Sequence, residues 1–88
     1  MEILKNAVAG TMESSDVYVE IEPAQDLTIQ LESVVQDQFG EQICDVVKQV
    51  LSENGVEKAT VRIIDRGALE CVIRARVETA IIRGKEEA

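Results

Sequence analysis

The sequence predicts an α+β domain: a two-layer sandwich with a mostly antiparallel four-stranded sheet and two helices on one face, in the order β-β-β-α-β-α. Three observations predict it. Val17-Val19-Ile21, Leu27-Ile29-Leu31 and Ala59-Val61-Ile63 each repeat with period two, as half-buried strands do. Two longer stretches carry apolar residues at helical spacing. The length, 88 residues, suits one domain, and a domain of this size buries only roughly 60% of its unfolded surface.

Residues 6–12 read as a short first strand, weakened by Gly10. Glu13-Ser14-Ser15-Asp16 is a polar break. Residues 16–22 form the second strand, interrupted by Pro23, and residues 27–32 the third. Such short breaks predict an antiparallel meander of these three strands. Ser33 followed by Gln36 matches a capping box, and Val35, Phe39, Ile43, Val46, Val47 and Val50 follow at helical spacing. Gly40 costs this helix about 1 kcal/mol relative to Ala, and Asn54-Gly55 ends it. The fourth strand runs from Ala59 to Asp65-Arg66-Gly67. Residues 68–83 fit both periods, but sixteen residues is long for a strand, and Glu70 stands four before Arg74 as in a helix. Leu69, Ile73, Val77, Ala80 and Ile81 would form its apolar face. The whole chain, 1–88, reads as one domain, with 84–88 as a frayed tail.

Hydrophobic residues make up 45% and charged residues 30%, the balance of a globular chain. Tyr18 and Phe39 are the only aromatics, so the core must be aliphatic. The net charge of -8 is uneven: residues 1–57 hold 12 acidic and 2 basic side chains, residues 58–88 hold 5 and 7. Phosphate contacts need Lys and Arg, so nucleic acid is a poor partner, whereas basic protein surfaces are favoured, with simple solubility as the plainer reading of the charge. No N-terminal signal pattern and no apolar run of membrane-spanning length is present, so a cytoplasmic protein is expected. Cys44 and Cys71 are expected to be small core fillers rather than a disulfide scaffold or nucleophiles.

Catalytic constellations are missing. The chain has no histidine, which removes triad and dyad nucleophile chemistry and the commonest metal ligand. It has no phosphate-cradling glycine loop and no metal spacing. A stand-alone enzyme is therefore not expected. The polar segment around Ser14 reads as a hairpin turn, since Ser and Asp bond the local backbone. Its functional reading is a hydroxyl held in water on a small rigid domain, as covalent attachment of a long arm requires.

Three blocks carry a resemblance: Ala7-Val8-Ala9-Gly10-Thr11-Met12-Glu13-Ser14-Ser15-Asp16, Gln38-Phe39-Gly40, and Asp65-Arg66-Gly67-Ala68-Leu69-Glu70-Cys71-Val72-Ile73-Arg74-Ala75-Arg76-Val77-Glu78. Over nearly its whole length the chain resembles the acyl carrier (gamma) subunit of citrate lyase. The first and last blocks are specific in combination and weak singly. The resemblance implies a non-catalytic carrier whose Ser14 bears a phosphoribosyl dephospho-coenzyme A group through a phosphodiester. The thiol of that arm would carry acetyl or citryl. Ser15, where many relatives have Gly, is the second choice for attachment. Implied partners are the alpha (transferase) and beta (lyase) subunits and the transferase that installs the group, with no nucleic acid and no membrane. The Asp-Ser-Leu signature of ordinary phosphopantetheine carriers is absent, so the fold need not be their bundle. Glu13 and Asp16 would repel the arm's phosphates. Two other readings stay open: a carrier of citramalate lyase or malonate decarboxylase, and a non-catalytic interaction domain in which Ser14 is dispensable.

Overall fold

The computed structural model describes residues 2–34 and 36–85, with the side chains of 36–38 also outside the description. Its elements are β1 (Ala7–Gly10), β2 (Val17–Pro23), β3 (Leu27–Ser33), α1 (Gln36–Glu53), β4 (Ala59–Asp65) and α2 (Glu70–Lys85). The expected α+β class and element order are borne out.

The strands lie in the order β1-β2-β4-β3. β1 pairs with β2 and β2 with β4, both antiparallel, while β3 runs parallel to β4. The expected meander is thus corrected: β4 inserts between β2 and β3. The parallel pair is possible because α1 supplies the long crossover that such a pair requires. β4 also gains most from the centre, since Ala59, Val61 and Ile63 are fully buried, whereas β3 at the edge leaves Leu27 exposed.

Period-two alternation turns Val17, Val19 and Ile21 of β2 and Ala59, Val61 and Ile63 of β4 toward the helices. The opposite face stays wet and carries the Tyr18–Glu20–Arg62 cluster, in which the Tyr18 hydroxyl donates to Glu20 (2.8 Å) and Arg62 pairs with Glu20 (3.3 Å). Glu20's bonded carboxylate pushes the Tyr18 phenol above its ordinary value, with burial adding to this. α2 covers β1 and β2, α1 covers β3, and the helices pack on each other. The core is aliphatic throughout, as the composition requires.

Three local expectations change. α1 begins at Gln36, and Ser33 ends β3 with its hydroxyl donating to Asp65 (2.7 Å), so it does not stand directly before the helix. Val35 and the Gln36 side chain lie outside the described residues. Arg74 reaches across to Glu53 (2.7 Å) and Gln49 (3.2 Å) rather than back to Glu70, because α1 packs alongside. Residues 84 and 85 do not belong to a frayed tail: α2 continues through Lys85, and Gly84 is buried, its carbonyl accepting from the N–H groups of Leu4 and Lys5. A Cβ at Gly84 would stand 3.2 Å from methyl groups of Ile3 and Ile21, a tight contact that shows how closely this helix end packs on the sheet. Residues 86–88 are outside the description.

Candidate functional site

The segment singled out in the sequence, residues 11–16, joins β1 to β2 at the end of the sheet where β4 finishes. Gly10 opens it with φ +84°, and a Cβ there would stand 1.9 Å from the Val17 carbonyl oxygen. Only glycine lets the two strand ends approach so closely.

Within the loop the bonds converge on Asp16. The Thr11 hydroxyl donates to its Oδ2 (2.6 Å) and the Val17 N–H to its Oδ1 (2.7 Å). Arg76, from the middle of α2, donates from Nε to Oδ1 (3.2 Å) and from Nη2 to Oδ2 (3.1 Å). Thr11 also accepts from the Glu13 N–H (3.2 Å), and the Asp16 N–H donates to the Glu13 carbonyl (3.1 Å). Two more bonds fasten the loop to the end of β4: Ser15 N–H to the Arg66 carbonyl (2.8 Å) and Arg66 N–H to the Asp16 carbonyl (2.9 Å). The Thr11 hydroxyl and then the Val17 N–H hold the Asp16 carboxyl down at about 2 against the opposing effect of burial, with Arg76 adding to the lowering.

Ser14 occupies the turn of this loop, exposed to water, and its hydroxyl has no hydrogen-bond partner among the described residues. Ser15 is also exposed, but its backbone is left-handed (φ 66°), a conformation in which glycine is at ease. The repulsion expected from a Glu13 and Asp16 pair is reduced: Asp16 is matched by Arg76, leaving Glu13.

A second hub supports the loop from below. Asp65 is the only buried charged residue among those described. It accepts from the Ser33 hydroxyl, from the Gly67 N–H (3.2 Å) and from the Ala68 N–H (2.9 Å). It therefore fixes the ends of β3 and β4 and the turn into α2. Sequence reasoning did not assign roles to Asp65, Arg66 or Arg76. The only available signal was their presence in the last block of the resemblance, since Asp16 and Arg76 lie 60 positions apart.

The cysteines divide. Cys44 is half-buried, near the expected core role; Cys71 is exposed, which corrects it, because position 71 falls on the water side of α2. No metal-holding group of His, Cys, Asp or Glu occurs among the described residues.

A family described as malonate decarboxylase delta subunit (MdcD) matches residues 4–84. The citrate lyase acyl carrier protein of Escherichia fergusonii is 52% identical, over 99% of this chain and 92% of that protein. That of Haemophilus influenzae strain PittEE is 51% identical with the same coverage. The chain belongs to the citrate lyase acyl carrier protein family. It is a carrier subunit rather than a catalytic one. Its fold is also that of a chain in the crystal structure of a Pseudomonas malonate decarboxylase hetero-tetramer, with a TM-score of 0.79 and 24% identity over 94% of the carrier and 87% of that chain.

Proposed function

We propose that this carrier serves citrate lyase and that Ser14 is the residue to which a phosphoribosyl dephospho-coenzyme A arm is joined. The observation that carries the reading is the state of the Ser14 hydroxyl: exposed, unbonded among the described residues, and borne on a loop held at both ends. A primary alcohol in water is the donor a phosphodiester needs, and the surroundings leave room for a bulky group. The arm, when present, supplies a thiol able to take acetyl or citryl as a thioester. The chain's own part is mechanical. The Asp16–Arg76 contact and the Arg66 bonds hold the anchor still, so the reach of the arm is set by its own length. Tethering then raises the local concentration of acyl groups at the transferase and lyase subunits to the order of mM. No described helix is long and apolar enough to cross a membrane, and the proposed setting is the cytoplasm.

A malonate decarboxylase carrier is the second reading, favoured by the matching family's description and by the shared fold. Identity near 50% to citrate lyase carriers, against 24% to the decarboxylase chain, ranks it second.

The test is intact mass and peptide mapping of protein purified from its native host, for the parent chain, Ser14→Ala and Ser15→Gly. The parent and Ser15→Gly should carry the added mass on Ser14. Ser14→Ala should lack it and support no lyase turnover, with folding stability changed by less than about 0.5 kcal/mol, as for a surface turn. An unmodified parent, or mass on Ser15, overturns the assignment.

A further inference from the structure

We propose that the end of the sandwich bearing Ser14 is a docking face, in which Leu69 and Phe39, flanked by Val34 and Met12, seat against apolar, basic-rimmed surfaces of the transferase and lyase subunits. This rests on the carrier reading above and names the surface that would do the docking.

Topology brings these residues together. Asp65 stands in register with both Val17 and Ser33, so the loop 11–16, the turn after β4 and the chain leaving β3 share one end of the sheet. The Val34 N–H donates to the Asp65 carbonyl (3.2 Å), which ties the last of these to the same hub. Of the large apolar side chains left in water among the described residues, Leu69 (71% exposed), Val34 (62%), Met12 (50%) and Phe39 (45%) lie here. The core does not use them. Leu69 precedes α2, outside the face formed by Ile73, Val77, Ala80 and Ile81, and its carbonyl accepts from the Val72 and Ile73 N–H groups. Its backbone is therefore held while its side chain stands free, an arrangement that reduces the ordering cost of a contact. Phe39 rims a shallow groove of about 160 Å³ floored by Ile43, Ala68 and Ile73, with Glu70 at its edge.

Charge selects the occupant. Glu13, Glu32, Glu41 and Glu70 are exposed at or beside this end, against one exposed arginine there, Arg66 in the turn after β4, so the rim is acidic on balance. An apolar centre with an acidic rim is matched by an apolar surface with a basic rim, and a second copy of this acidic chain would meet like charge. A shuttle must also leave each partner after delivery, and a patch of four side chains suits a small, transient interface.

The test measures binding of the bare chain, without its arm, to the separately purified transferase and lyase subunits by calorimetry. The variants are Leu69→Ser, Phe39→Ser and, as control, Leu27→Ser, whose exposed side chain lies at the opposite end of the sheet. Leu69→Ser and Phe39→Ser should each weaken binding at least tenfold while Leu27→Ser binds as the parent does, and 0.5 M salt should weaken the parent further. Circular dichroism confirms that each variant is folded; Leu69→Ser, at an exposed position, keeps the test open should Phe39→Ser fail to fold. Parent-like binding by both variants overturns the proposal. So does a parent dimer that Leu69→Ser converts to monomer with subunit binding intact, which would make a second copy the occupant. Loss seen only with the loaded arm overturns it too, since the patch would then shelter the arm. Because the assay uses bare protein, an undecorated Ser14 in the native host would sink the carrier reading without deciding this one.

Discussion

Arg76 closes on Asp16 with two nitrogens, spanning 60 positions of sequence to join the middle of α2 to the loop that carries Ser14. The contact is partly open to water, with the Arg76 side chain 41% and the Asp16 side chain 16% exposed. Its strength is accordingly shared with the Thr11 hydroxyl and the Val17 N–H.

This arrangement sets a pH dependence. The Asp16 carboxyl is held at about 2 in the folded chain against an ordinary 3.8, so folding favours its charged form. The stability it contributes is fully present above about pH 4 and is lost as pH falls toward about 2. Asp16→Asn should therefore be less stable than the parent at pH 7, and the gap should narrow between pH 4 and pH 2. Urea midpoints across that range read it out. A gap as wide at pH 2 as at pH 7 would contradict the ionic origin of the contact.

What the sequence disclosed follows from how local each feature is. β2 and β4 were legible because Val17-Val19-Ile21 and Ala59-Val61-Ile63 alternate on a half-buried sheet. α2 was legible by its length, although period two competed. The order of strands was not: the link from Pro23 to Leu27 looks like a hairpin break, and nothing local says that β4 will return between its two neighbours. Leu69 and Cys71 were assigned inward from spacing alone, but α2 starts at Glu70 and turns its buried stripe through Ile73 and Val77. Ser14 was singled out through the resemblance of its segment. The residues that hold its loop, Arg66 and Arg76, act through space and leave no local pattern.

Gly10 is the most restrictive position of the site. Gly10→Ala combines a left-handed backbone, costing about 1–2 kcal/mol, with a methyl placed against the Val17 carbonyl. The variant should lose at least about 2 kcal/mol of folding stability by urea denaturation. A smaller loss would mean that β1 shifts to relieve the contact, and the amide exchange of Val17 would then rise.

Asp65 should be the most costly polar side chain to remove. Asp65→Ala removes the shared carboxylate, itself only 1% exposed, to which the Ser33 hydroxyl and the Gly67 and Ala68 N–H groups donate. The expected loss is about 2 kcal/mol, since a donor left unpaired costs about 1–3 kcal/mol when buried and less where, as at exposed Gly67, water can replace the acceptor. Protection of the amides after β4 and at the start of α2 should fall first in hydrogen exchange. Uniform loss across the sheet would instead make Asp65 a general core residue.

The last prediction separates the chain's own thiols from the one proposed to arrive with the arm. Cys71 is exposed and Cys44 half-buried, beside Ile29 and Leu31 where α1 meets β3. A neutral maleimide should therefore label Cys71 first and Cys44 slowly, in proportion to access. Cys44 faces the β3 edge, whereas Cys71 lies in the first turn of α2, next to Glu70, with its side chain exposed to water. Replacing both, as Cys44→Ala with Cys71→Ser, should cost less than about 1.5 kcal/mol. When taken from the native host, the double variant should still titrate one thiol per chain and still support acyl transfer. With Ser14→Ala added, both should vanish. If removing the two cysteines ends transfer while the mass on Ser14 remains, the carrier's working sulfur belongs to the polypeptide and the arm has another purpose.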